Sequence, residues 1–213
     1  MMLNRASNDK PMHIQELWRY PVKSMAGERL EVAEIREDGI VGDRVVQVVD
    51  ASGRTVTSRT KPALLGYRAT LGVDGEPFVD SRPWREVEVP VGKLVRHDGV
   101  DRFDVLPLLV ATDGAIAAFG YDGRRLRPNI VIGGVEGLAE RSWEGRQLHV
   151  GPVMIGIQDL RGRCIMTTFD PDTQKQDVEV LLKIRHEFAG TLALNCYVIK
   201  PGKLAVGDPV TLI

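Results

Sequence analysis

Cysteine is scarce in this chain: two in 213 residues, Cys164 and Cys196. Two are too few for a disulfide framework at this length, so a reducing compartment, most simply the cytoplasm, is expected. No apolar run approaches the ~20 residues that a membrane span needs. The opening "MMLNRASNDKPMH" has no apolar stretch of the kind a signal peptide requires. Charge of one sign is absent too, since 28 Lys and Arg face 29 Asp and Glu. That balance excludes a general basic field that would draw in nucleic acid, so any basic site must be local. Metal and nucleotide motifs are missing: no CxxC, HExxH or EF-hand loop, no Walker loop, no GxGxxG after a strand and no GxSxG elbow. The four histidines, His13, His97, His149 and His186, are scattered, and His149 reads as a sheet residue.

Glycine and proline are plentiful, at 22 and 12, and they separate short apolar or alternating runs. "RVVQVVD" (44–50), "REVEVPV" (85–91), "NIVIGG" (129–134) and "NCYVIK" (195–200) read as strands. "QLHVGPVMIGI" places a Gly151-Pro152 turn between two β-like runs and predicts a hairpin. "GKLAVGDPVTLI" predicts a closing strand pair. "TDGAIAAFG" predicts a short helix with Thr112 or Asp113 as N-cap and Gly120 as its stop. "DVEVLLKIRHEF" places Val178, Leu181, Leu182 and Arg185 at helical spacing, but its β-branched residues equally suit a strand. The expected fold is mainly β with a few short helices, in two β-barrel-like modules over residues 12–95 and 96–213. The soft boundary is the polar, turn-rich "VGKLVRHDGVDRF". The first dozen residues are polar, and disorder is expected at the tip.

The stretch richest in chemistry is "RGRCIMTTFDPDT", 161–173. Arg161 and Arg163 flank Cys164, and cations and turn N–H groups favour a thiolate. The alternative is a buried structural cysteine, which is the preferred reading for Cys196 inside "LALNCYVI". Asp170 stands before a proline, where a turn role suits it better than proton donation. Other basic and polar groups fall in loops: Lys23 and Ser24 in "YPVKSMAG", Arg44 in "GIVGDR", and Arg124, Arg125, Arg127 and Asn129 in "GRRLRPNIVI". Singly each reads as solvated surface. Together they point to a local anion site.

These blocks, in this order, resemble the MOSC proteins. "YPVKSMAG…GIVGDRVVQVVDASGRTVTSRTKPALL" is similar to the N-terminal β-barrel module, and "RPNIVIGG…W…GPVMIGIQDLRGRCIMTTFDPDT…GDPVTLI" to the MOSC domain. The nearest functional relatives by this resemblance are the amidoxime-reducing components. The resemblance implies a molybdenum cofactor, a pterin dithiolene with a phosphate tail. It implies Cys164 as protein ligand to Mo and as the catalytic position. It also implies Lys23, Ser24, Arg44, Thr112, Arg127 and Asn129 as cofactor-binding groups. A soft thiolate suits such a centre, and Arg forks, Lys and hydroxyls suit a phosphate. The implied activity is reduction of N-hydroxylated small molecules with electrons from a separate donor protein, without nucleic acid or membrane partners. The alternatives are a carrier of the cofactor, or of a persulfide on Cys164, and a shortened protein that binds no cofactor. The chain departs from the longer reductases in its short span from Pro90 to Leu108, and its two cysteines do not suffice for a fused iron–sulfur domain.

Overall fold

The computed structural model describes residues 11–213, so most of the polar tip lies outside the described residues. The largest sheet has eight strands. Across the sheet they are Thr211–Leu212, Gln147–Val150, Val153–Gly162, Thr191–Lys200, Leu108–Thr112, Ile130–Gly133, His13–Arg19 and Glu28–Leu30. The hairpin predicted around Gly151-Pro152 is present, with Gly151 at φ 54, a left-handed turn conformation that glycine adopts without a Cβ penalty. The single parallel pair in this sheet, Leu108–Thr112 beside Ile130–Gly133, is joined through helix α1 (Asp113–Phe119). That helix begins where the sequence predicts: Thr112 Oγ1 accepts from Ala115 N at 3.1 Å, and Gly120 ends it at φ 72.

The ends of the chain interleave. Val32–Arg36 pairs with Gly202–Ala205, and His13–Arg19 pairs with Ile130–Gly133. The sheets therefore cross the expected boundary near residue 95. Three smaller sheets complete the β structure, one of them centred on Val46–Val49. None of the described sheets closes into a barrel; the eight-stranded one runs from Thr211–Leu212 to Glu28–Leu30 and stays open. One apolar core lies along the large sheet, around Leu17, Ile35, Trp143 and Leu194. A second lies around Val22, Met25, Val46 and Trp84.

Three expectations change. "REVEVPV" forms no strand: buried Trp84 anchors a 3-10 turn, Trp84–Glu86, and Pro90 has no N–H to give a ladder. The two C-terminal strands do not pair with each other; Gly202–Ala205 joins Val32–Arg36, and Thr211–Leu212 joins Gln147–Val150. The ambiguous "DVEVLLKIRHEF" is helix α2 (Glu179–Glu187), but its buried face is Val180 and Ile184, not the face read from spacing. Val178 is 56% and Leu182 38% exposed. Burial against Phe119, Leu126 and Phe188 settles the choice between helix and strand that propensity left open.

This packing predicts a sharp contrast along one helix. Ile184→Ala should lower unfolding free energy by about 2–4 kcal/mol, whereas Leu182→Ala should change it by less than ~0.5 kcal/mol. Urea unfolding of both variants checks it.

Candidate functional site

Three loops far apart in sequence meet beside Cys164, two residues past the end of the strand Val153–Gly162. Lys23, Ser24, Arg44, Arg127, Asn129 and Cys164 all line one cavity. The backbone at three of these positions is unusual. Ser24 (φ 72), Arg44 (φ 56) and Arg127 (φ 56) adopt the left-handed conformation. Non-glycine residues hold that conformation at a cost of order 1 kcal/mol each.

Asp43 ties the loops together. Its carboxylate is fully buried. Oδ1 accepts from Tyr20 N at 2.7 Å. Oδ2 accepts from Asn129 Nδ2 at 3.1 Å and from the Arg44 guanidinium. Asn129 Oδ1 accepts in turn from Leu109 N at 3.1 Å. Two guanidiniums lie over the Tyr20 ring, Arg127 4.3 Å and Arg44 5.1 Å from its centroid. Tyr20 donates its hydroxyl proton to Pro128 O at 3.1 Å, and burial pushes its pKa up to about 12 despite those cations. The phenol therefore stays neutral.

The cavity is strongly cationic in a chain of net charge −1. Lys23, Arg44, Arg59, Arg125, Arg127, Arg161 and Arg163 line it, against one acid, Asp104. Burial and the neighbouring cations push Arg127 and Arg163 down to about 10. Burial lowers Arg161 as well. Arg127 has no hydrogen-bond acceptor or ion-pair partner among the described residues. Arg163 donates Nη2 to Leu126 O at 2.8 Å, but its buried Nε has no partner. Such a field is unfavourable when empty and complementary to an anion. Asp104 stands in it as an internal anion, 3.0 Å from Lys23 Nζ, 2.8 Å from Arg59 and 3.7 Å from Arg161. Burial opposes its charge, yet Lys23, Arg59 and Arg161 outweigh that and hold its carboxyl below the ordinary range.

Cys164 is half-buried on the cavity wall, at the start of the 3-10 turn Ile165–Thr168. A negative charge on its sulfur would favour the protonated forms of both Arg161 and Arg163. Thr167 and Thr168 do not reach the sulfur; their hydroxyls donate to Cys164 O at 2.9 Å and Ile165 O at 2.7 Å. Thr112 lies elsewhere: it is fully buried, caps α1 and donates to Glu140 Oε2 at 3.2 Å. Asp170 is a turn residue, accepting from Thr173 N at 2.9 Å and pairing with Arg125 at 3.0 Å. Cys196 is buried in the strand Thr191–Lys200, and burial raises its thiol pKa. Asp43, Tyr20, Arg59 and Asp104 are the site residues that sequence reading missed. "GIVGDR" contains Asp43, but only the fold reveals that its charge is buried.

Residues 12–105 match the MOSC N-terminal beta barrel domain and residues 115–211 the MOSC domain. The chain belongs to the MOSC family. The human mitochondrial amidoxime-reducing component 1 is 26% identical, over 94% of this MOSC protein and 82% of the relative. The human mitochondrial amidoxime reducing component 2 is 25% identical, over 92% and 82%. Among solved structures, the YUAD protein of Bacillus subtilis aligns over 95% of this chain and 96% of its own, with a TM-score of 0.51 and 13% identity, a likeness of fold.

Two substitutions probe this arrangement. Asp43→Ala should cost about 3–5 kcal/mol, because it leaves Arg44 buried without its counter-charge; chemical unfolding reads this. Asp104→Asn should bind pyrophosphate roughly 3- to 10-fold more tightly by calorimetry, because three cations lose a competitor. Its acid limb should also change. A carboxyl with a depressed folded-state pKa stabilises above its unfolded pKa and loses that contribution as pH falls through the folded value. The variant should therefore lose less stability than the parent below pH ~4.

Proposed function

We propose that this MOSC protein is a molybdenum cofactor-dependent oxidoreductase that reduces N-hydroxylated compounds. The observation that carries the reading is the meeting of Cys164 with uncommitted guanidinium groups on one cavity wall. The residues present fit the proposed group. Arg127 offers a guanidinium with no protein acceptor, Arg163 an orphaned Nε, and Lys23 and Arg44 further charge. The Cβ side of Gly162 is open, with nothing within 4 Å, so the backbone next to Cys164 leaves room for a ligand. In this reading Lys23, Ser24, Arg127 and Asn129 hold the phosphate and pterin edges, Arg44 orients them from Asp43, and Cys164 is the thiolate ligand. Thr112 leaves the proposed set, since its hydroxyl already caps α1 and bonds Glu140.

The cofactor supplies the two-electron chemistry. In the overall reaction the N–O bond breaks, two electrons and two protons are consumed, and the oxygen leaves as water. The chain's own part is to bind, to orient and to neutralise charge. Asp104 is the carboxylate that must yield to the ligand's phosphate, and Asp43 keeps Arg44 and Asn129 in register while it does so. A separate donor protein delivers the electrons. The relatives named as amidoxime-reducing components support the substrate class. No helix among the described residues is long and apolar enough to cross a membrane. The two free thiols suit a reducing compartment such as the cytoplasm.

A carrier that hands on the cofactor, or a persulfide on Cys164, would use the same cavity, and turnover separates the two. Protein made in a cofactor-producing host should contain close to one Mo per chain. It should reduce an amidoxime with a reduced donor protein and not with NADH alone. Cys164→Ser should lower that rate by more than about 100-fold with little change in melting temperature. Cys196→Ser should lose about 1–3 kcal/mol of stability and keep its rate per folded molecule. Stoichiometric Mo without turnover by any donor would contradict the reductase reading, and so would a Cys164→Ser protein at the parent rate.

A further inference from the structure

A second recess, of about 270 Å³, lies against the cationic cavity and shares Arg125, Arg127 and Met166 with it as a common wall. Its character is different. Trp18, Leu65, Met166, Phe169 and Pro171 give it one apolar wall, beside polar groups that include Arg68, Asp172 and Gln174. The polar edge of Trp18 is already engaged, donating Nε1–H to Glu16 Oε2 at 2.7 Å, which leaves the indole ring as contact surface. Two rim cations are committed within the protein. Arg124 pairs with Asp172 at 2.7 Å and Asp122 at 2.6 Å, and Arg125 pairs with Asp170 at 3.0 Å. Arg68 is not: it is an exposed residue of the lining whose guanidinium has no acceptor among the described residues, whereas the unpaired Arg127 belongs to the wall shared with the cationic cavity.

We propose that this recess is a binding site for a flat aromatic ring bearing a carboxylate, with the ring against the apolar wall and the carboxylate on Arg68. Both ends of such a ligand find a complement. Aromatic and sulfur-bearing walls favour a ring, and a free guanidinium fork fits a planar carboxylate in bidentate fashion. The volume is near the lower end of small-molecule sites, so the body is one or two fused rings. An occupant lies beside Met166, two residues beyond Cys164, and therefore borders the cavity whatever that cavity holds. Ala26 faces the same recess, and its backbone is fixed by hydrogen bonds to Tyr67 O and from Ala69 N, both 2.9 Å. A larger side chain there should enter the recess, and circular dichroism and melting temperature check that the fold is kept.

The test uses 2-naphthoate, with neutral 2-naphthol as its partner probe, titrated calorimetrically into the full chain. The parent should bind 2-naphthoate with Kd on the order of 100 μM and quench tryptophan emission. Trp18→Phe should remove most of the quench while the heat persists. Arg68→Gln should weaken 2-naphthoate about fivefold and leave 2-naphthol unchanged. Ala26→Leu should weaken both by at least about tenfold. Pyrophosphate, which reports on the neighbouring cavity, should bind all four proteins alike. No heat up to about 5 mM, or equal 2-naphthoate affinity in the parent and Ala26→Leu, overturns the site. A loss of pyrophosphate binding in Ala26→Leu would show that the probe sits in the cationic cavity, and that too overturns it.

Discussion

The buried carboxylate of Asp43 holds Tyr20 N, the Arg44 guanidinium and the Asn129 amide at once. These groups belong to three loops: the one after His13–Arg19, the one before Val46–Val49, and the one before Ile130–Gly133. Each loop presents site residues to the same cavity. A charge buried this completely persists only when paired and hydrogen-bonded. Removing any partner leaves either a bare carboxylate or an unmatched guanidinium. The positions of Lys23, Ser24, Arg127 and Asn129 are thus set through one acid that does not line the cavity.

The cavity it organises runs against stability on two counts. Of the seven cations that line it, Arg44 pairs with Asp43, Arg125 with Asp170, and Lys23, Arg59 and Arg161 with Asp104, which leaves Arg127 and Arg163 without an acid, and Ser24, Arg44 and Arg127 sit in left-handed backbone. Strain and like charge of this kind concentrate where a ligand supplies the missing complement. Asp104 relieves part of the repulsion, and cation–π contacts of Arg44 and Arg127 with the Tyr20 ring offset part of the cost of burying them. What remains uncompensated is Arg127 and the Arg163 Nε, and the charge of Arg127 bears on Arg163. In the proposed reading an anionic ligand would complement both.

The sequence was readable where the signal was local. The α1 caps at Thr112 and Gly120, the Gly151-Pro152 hairpin and the Asp-Pro turn at 170–171 follow from side-chain chemistry within a few residues. The loop cations pointed to a local anion site, but the joining of Lys23, Ser24, Arg44, Arg127 and Asn129 with Cys164 was legible only through the family resemblance. The face of α2 was not legible, because Val180 and Ile184 are chosen by Phe119 and Leu126, which lie more than fifty residues upstream in the chain. Nor was the strand order, in which Gly202–Ala205 returns to Val32–Arg36. Thr112 illustrates the limit of motif reading: a hydroxyl next to a site in sequence can be fully used by a helix end.

The central claim is that Arg127 is kept charged, strained and unpaired for an anion. Thermal unfolding of the parent and Arg127→Met, each with and without saturating pyrophosphate, tests it most directly. The account predicts that Arg127→Met melts above the parent without ligand, because an uncompensated charge is gone, and that pyrophosphate no longer raises its melting temperature as it raises the parent's. A variant that melts below the parent and still gains the full pyrophosphate shift would contradict it.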